Sequence, residues 1–196
     1  MEPKSVQHVV GLDLDGVIVD HTENRMRFAE QFGFRLARRD TAADIIGTKL
    51  PPEVHVAIQR RIYDDPHIAL TASLIEGARE GIAWLRDRRM PYHLISRRRN
   101  SGVAVELLQR HNLWPAFFNE ESSDFVVTPE DKNESAKARG ITIYIDDEPD
   151  VLRALTAVPH RFLFDPLGVR GESDAYTRLA SWDEFRNALE ILCRIS

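Results

Sequence analysis

Two aspartates, Asp13 and Asp15, interrupt the apolar stretch "HVVGLDLDGVIVD" of residues 8–20, immediately ahead of Gly16. A charged side chain in or at the end of a buried strand is costly unless it is paired or bound to a metal. Two further apolar runs end in reactive side chains: "YHLIS" closes on Ser96, and "ITIYIDDEPD" carries Asp146, Asp147 and Asp150. Carboxylates can bind hard cations or act as nucleophiles, acids and bases. In an open parallel sheet, ligands bind beyond the carboxyl ends of the strands, near the point where the strand order reverses. A lone aspartate at a strand end is usually a turn former or a helix cap. Three strands ending in such residues point to one place.

The elements that must position them follow from hydrophobic patterning. Strands are expected at Val9–Leu14, Tyr92–Ile95, Phe125–Val127, Ile141–Ile145 and Phe162–Phe164. Most lack a clean apolar/polar alternation, which suits a sheet covered on both faces. Helix-period segments lie between them: Val103, Leu107, Leu108 and His111 share one face, as do Val151, Leu152 and Leu155, and Trp182, Phe185, Leu189 and Leu192. Strands alternating with helices imply right-handed crossovers and a mainly parallel sheet. From about His21 to Ser73 no strand is expected. Helices are expected at Glu23–Phe32, stopped by Gly33, and at Thr41–Ile46, stopped by Gly47. A third begins at the Pro51-Pro52 pair and ends before Pro66. This predicts a core of residues 1–19 and 74–196 with a small helical cap at 20–73; an irregular extension of the single core is the plainer alternative.

At this point the sequence resembles the haloacid dehalogenase-like (HAD) hydrolase superfamily over most of its length. The family's first motif, DxDG after apolar residues, stands as Asp13-Leu14-Asp15-Gly16; its strand-ending Ser/Thr as Ser96; its lysine as Lys132; and its acidic cluster as Asp146, Asp147 and Asp150, in the family's order. The resemblance implies a three-layer, Rossmann-like α/β core with a central parallel sheet ordered 5-4-1-2-3 and a helical cap after the first strand. It implies magnesium-dependent hydrolysis of a small phosphomonoester through an aspartyl-phosphate. Asp13 would be the nucleophile, Asp15 the acid and then the base, and Ser96 and Lys132 the holders of the phosphoryl oxygens. Gly16 would let the chain turn away without a Cβ crowding the phosphate. Asp13, the Asp15 carbonyl and the acidic cluster would ligate Mg2+, an ion that favours oxygen ligands and needs few carboxylates. Asp147 is the expected direct ligand, with Asp146 and Asp150 in support, although the family's usual Gly-Asp pattern is here Asp146-Asp147. That adjacent pair is similar to the deoxyribonucleotidase-like branch, which makes a nucleotide one candidate substrate. A phosphomutase would use the same residues, and a non-catalytic phosphate- or metal-binding module is a further alternative.

Other features are less specific. Lys137 rivals Lys132 from five residues further along the same expected helix. Arg97, Arg98 and Arg99 precede a helix N-terminus, where cations oppose the macrodipole; they either recognise substrate oxygens or lie in a solvated loop, and Arg97 and Arg98 are the candidates for substrate binding. His21 is a hinge or cap candidate, and the cap aromatics Phe28, Phe32, Phe34 and Tyr63 do not reveal which of them faces inward. The histidines lack zinc spacing, and no serine-hydrolase or dinucleotide fingerprint is present. Gly47-Thr48-Lys49 lacks the upstream glycine and strand of a P-loop. A net charge of -5 argues against a nucleic-acid polymer as partner. The single cysteine, Cys193, excludes an intrachain disulfide. With neither a membrane-length apolar run nor a secretory signal in the pattern, a cytoplasmic protein acting on a small phosphorylated metabolite is expected. Nothing in the sequence fixes the oligomeric state.

Overall fold

The computed structural model describes residues 8–195, so residues 1–7 and 196 of the expected core lie outside the described residues. Its strands are β1 (Val10–Leu12), β2 (Val19–Asp20), β3 (Ser73–Leu74), β4 (Tyr92–Ser96), β5 (Ser123–Phe125), β6 (Ile143–Asp146), β7 (His160–Phe164) and β8 (Thr177–Leu179). Six of them form one sheet in the order β5-β4-β1-β6-β7-β8, with every neighbouring pair parallel. The expected five-strand order is present, and β8 extends it at one edge. Thr177 and Arg178 of β8 are exposed, so no apolar run announced this strand. The third expected strand is shifted: β5 begins at Ser123 and ends at Phe125.

The helices are α1 (Thr22–Gln31), α2 (Ala43–Lys49), α3 (Pro52–Asp64), α4 (Pro66–Ala69), α5 (Ala78–Asp87), α6 (Ser101–Arg110), α7 (Pro129–Ala138), α8 (Pro149–Ala154) and α9 (Trp182–Ile195). Alternate strand residues point to opposite faces, and here both faces are buried. On one face Val10, Leu12, Leu94, Ile143, Ile145, Phe162 and Phe164 pack against α5, α6 and α9 through Ile82, Leu85, Leu107, Trp182, Phe185 and Leu189. On the other, Ile95, Tyr144 and Leu163 pack against α7 and α8 through Ala136, Val151 and Leu152. The result is a three-layer α/β core. Gly11, in the middle of β1, gives the Tyr144 ring its space: a Cβ there would lie 2.2 Å from Tyr144 Cδ2. The Tyr144 hydroxyl donates to the Ile95 carbonyl at 2.8 Å, which satisfies its buried polar end.

Residues 22–70 carry α1 to α4 and bury a separate apolar cluster of Phe28, Leu36, Ile46, Leu50, Ile58 and Ile62. Where the chain leaves the sheet layer and returns to it, β2 and β3 pair antiparallel, Val19 with Leu74 and Asp20 with Ser73. This two-residue ribbon brackets the stretch in which no strand is expected, and two residues are too few to show a period. The expected stop at Gly47 is also corrected. Helix α2 runs through Gly47 to Lys49 and ends before the Pro51-Pro52 pair. Gly47 instead lies beneath His55, whose ring would sit 3.1 Å from an added Cβ. Gly33, by contrast, does end α1, with φ at +85°.

Candidate active site

The carboxyl ends of β1, β4 and β6 lie side by side, and the expected residues converge there. Asp13 leaves β1 buried, its amide donating to the Ile145 carbonyl at 3.1 Å. Gly16 then turns the chain with φ at +82°, and a Cβ on it would strike the Asp147 carboxylate at 2.2 Å. Glycine is therefore required twice over, for backbone conformation and for the close approach of an acid. Ser96 closes β4, almost fully buried. Lys132 comes from the first turns of α7, whose start is fixed by Thr128 accepting from the Asp131 amide. Its Nζ is buried and donates to Asp13 Oδ1 and to Asp146 Oδ2, both at 2.7 Å. Lys137 is exposed on the same helix, so Lys132 alone of the two reaches the site.

Asp13, Asp146 and Asp147 each offer a carboxylate oxygen within 4.8 Å of the others. Lys132 answers the first two. Asp147 is buried and makes no hydrogen bond or ion pair among the described residues. Burial pushes its carboxyl well above the usual range, and the charges of Asp146, Glu148 and Asp13 push it further. Asp13 is raised to about 7, burial outweighing the pull of Lys132. An unpaired buried carboxylate in a cluster of three is a donor set of hard oxygens that a small dication fits. Asp150 does not belong to it. Its side chain points to solvent and pairs with Arg153 one turn along α8, because the helix turns that face away from the sheet. Asp150 therefore stands apart from the cluster, while Asp146 accepts from Lys132 and from the Glu148 amide.

Asp15 has a different environment. Arg98 donates to it through two nitrogens, Nε to Oδ2 at 2.8 Å and Nη2 to Oδ1 at 2.7 Å. His21 Nε2 lies 2.7 Å from the same Oδ1. Burial alone would raise Asp15, but the Arg98 guanidinium and the His21 contact override it and hold the carboxyl well below its usual range. Burial also lowers the His21 pKa, despite the opposing pull of Asp15 beside it. Arg97 pairs with Glu148, and Arg99 is exposed at the rim.

These groups open into a cavity of about 600 Å³ between the sheet ends and the helices of residues 22–64. Of the four aromatics in question, Tyr63 alone lines it. Phe28 is core, Phe32 is solvent-exposed and Phe34 packs at the edge of the separate cluster. Sequence reasoning missed Arg25 and His55 on the cavity wall. Arg25 had a signal, since it stands one helical turn after His21 and so shares its face. His55 had none.

No protein-family model matches the chain, and no curated protein matches it by sequence. Solved structures do match it. A HAD-family hydrolase from Deinococcus radiodurans, with phosphate and sodium bound, superposes with a TM-score of 0.67 at 20% identity, covering 96% of this chain and 97% of that one. The chain has the HAD hydrolase fold. A HAD-superfamily hydrolase of subfamily IA from Geobacter sulfurreducens matches at 0.62 and 20% identity, covering 96% and 99%. A predicted phosphatase from Clostridium acetobutylicum matches at 0.62 and 17% identity, covering 95% and 100%. In this fold β1, which leads into Asp13, lies between β4, which ends at Ser96, and β6, which ends at Asp146. No helix among the described residues is long and apolar enough to cross a membrane.

Proposed function

We propose that this protein is a magnesium-dependent phosphatase that hydrolyses a small phosphomonoester through an aspartyl-phosphate on Asp13. The observation that carries this reading is the Lys132 bridge between Asp13 and Asp146, set beside the unpaired Asp147. Asp13, Asp147 and the Asp15 carbonyl would hold Mg2+, with Asp146 in support. The ion, when bound, offsets the negative charge that gathers on the transferring phosphoryl oxygens. The names of the HAD hydrolases and of the Clostridium phosphatase that share the fold accord with this chemistry.

In the first step an Asp13 oxygen bonds to phosphorus, the ester P–O bond breaks, and the leaving oxygen takes a proton from Asp15. In the second, water attacks phosphorus, Asp15 takes its proton, and Asp13 is restored as inorganic phosphate departs. Lys132 and Ser96 hold the phosphoryl oxygens, and Gly16 leaves them room. Asp15 is ionised here, so it stands ready as the base of the second step. For the first it must shed the grip of Arg98, which substrate contacts to Arg98 and Arg97 would loosen. Residues 20–73 act as a cap whose closure over the cavity excludes water.

The test is hydrolysis of an aryl phosphate with magnesium, with EDTA, and by Asp13→Asn. Metal-dependent phosphate release, lost in the variant, is expected; transfer of the phosphate to a sugar acceptor instead would mark a phosphomutase. A wild type that neither turns over nor forms a beryllofluoride adduct at Asp13 would overturn the reading.

A further inference from the structure

Arg25 is an anomaly in the wall of the cavity. It projects from α1, is only 7% exposed, and no carboxylate lies within ion-pairing distance of it among the described residues. Its two hydrogen bonds go to neutral oxygens, Nη1 to the Thr41 carbonyl at 2.8 Å and Nη2 to the Tyr63 hydroxyl at 2.7 Å. A buried guanidinium with no carboxylate in direct contact is costly to the free protein. Two further buried donors or acceptors of residues lining the same cavity are also unanswered: Arg98 Nη1 and His55 Nε2. Arg98 stacks over the Tyr63 ring at 5.1 Å, so Tyr63 joins the two arginines into one unit.

The charge around the cavity points the same way. Arg98 is matched by Asp15, Arg97 by Glu148, and Lys132 by Asp13. Of the remaining charges, Arg25, Arg60 and Arg99 face Asp64 and Asp147, and a dication at Asp147 would leave the wall strongly positive. A single phosphoryl group at Asp13 does not account for Arg25, which stands on α1, outside the group of Asp13, Ser96 and Lys132. Arg25 nevertheless lies close enough to Asp147 and Asp15 to interact with both, so whatever it holds is a short distance from the reacting phosphorus.

We infer that the substrate's leaving group is short and carries a second anionic group, a carboxylate or a further phosphate, which is received by Arg25 with the free Arg98 Nη1 and His55 Nε2. The inference rests on the phosphatase reading for which end of the substrate lies at Asp13. It adds the chemical class of the other end. An anion arriving at Arg98 also competes with Asp15 for the same guanidinium, which ties recognition of the correct leaving group to release of the catalytic carboxylate.

The experiment measures affinity, so that it does not depend on turnover. Asp13→Asn protein with magnesium is titrated calorimetrically with 3-phosphoglycerate, with glycerol 3-phosphate, in which the carboxylate is replaced by a neutral hydroxymethyl, and with propane-1,3-diol bisphosphate. The expected result is that one of the two doubly anionic ligands binds roughly tenfold or more tightly than the neutral one, the scale of one charge-assisted hydrogen bond. Which one does so separates a carboxylate from a phosphate. Adding Arg25→Gln should bring the ratio close to one, while Arg25→Lys, which keeps the charge, should retain part of it. Equal affinities for all three ligands would overturn the inference even if the wild type hydrolyses aryl phosphate, in which case the phosphatase reading survives. A preference unchanged in both Arg25 variants would also overturn it, and should Arg25→Gln not fold, Arg25→Lys and the Asp13→Asn ratio decide.

Discussion

Arg98 holds Asp15 in a fork, Nε to Oδ2 and Nη2 to Oδ1, with the guanidinium almost wholly buried and the carboxylate only slightly exposed. The pair joins the end of β4 to the turn after β1, and through His21 it reaches the start of α1. It sets the state of the carboxylate that the proposed chemistry needs most.

Arg98→Met should therefore destabilise the fold by about 3 kcal/mol at pH 7, the scale seen when one member of a buried pair is removed. The sign with pH follows from the lowered Asp15 pKa. Its contribution is fully present above the unfolded value near 4 and is lost as pH falls below it, so the two proteins should converge in acid. Urea denaturation at pH 7 and again at about pH 2, well below the unfolded carboxyl value, checks this. Equal midpoints at pH 7 would show that the fork adds nothing.

His21 gives a second dependence at higher pH. Burial lowers its pKa in the fold, so the unfolded chain takes up a proton near 6.5 that the folded chain refuses. Stability should fall as pH drops from 7 toward 5, by up to about 1.4 kcal/mol per pH unit for each such group. His8, His55 and His93 are lowered in the same direction, so His21→Gln should flatten the slope without abolishing it. A slope unchanged in the variant would mean that His21 titrates alike in both states.

Asp147→Asn should weaken magnesium binding by more than about tenfold, since even groups that only orient a ligand are worth 10- to 100-fold. Asp150→Asn should leave it unchanged, because that side chain is exposed and paired with Arg153. The raised Asp147 carboxyl and that of Asp13, pushed up to about 7, also mean that wild-type affinity should climb as pH rises, as the ion displaces a proton. Calorimetry of the three proteins without substrate decides both points. Loss of binding in Asp150→Asn would place the site elsewhere.

Gly16→Ala should cost roughly 1–3 kcal/mol for the positive φ alone, and its Cβ would also displace the Asp147 carboxylate. Thermal unfolding and magnesium titration of the same sample should therefore worsen together. A variant that loses stability yet keeps full magnesium affinity would show that Asp147 can move aside at no cost to the ion.

Gly81→Ala should reverse the usual rule that alanine stabilises a helix interior by about 1 kcal/mol over glycine. An added Cβ would meet Trp182 Cε3 at 2.2 Å, and Trp182 is tethered by its Nε1 donating to the Val17 carbonyl at 2.9 Å. The expected loss is about 1–3 kcal/mol from overpacking. A raised melting temperature would mean that the indole can rotate away despite its tether.

The sequence by itself determined the alternation of strands and helices, the parallel sheet and the residues at its carboxyl end. These follow from local chemistry: apolar runs too long to leave exposed, and acids placed where only a ligand or a counter-ion could stabilise them. Asp13, Ser96 and Lys132 were readable because each sits at the end or the start of an element whose pattern marks it. Tertiary structure alone decided how those residues pair. That Lys132 bridges Asp13 to Asp146, that Asp150 turns to solvent while Asp147 stays unpaired, and that Arg98 spends its fork on Asp15 depend on distances between residues as many as 119 positions apart. The short strands β2, β3 and β8 and the buried charge of Arg25 escaped pattern reading for a related reason. Two or three residues carry no period, and a basic residue on a helix reads as solvated until the fold closes over it.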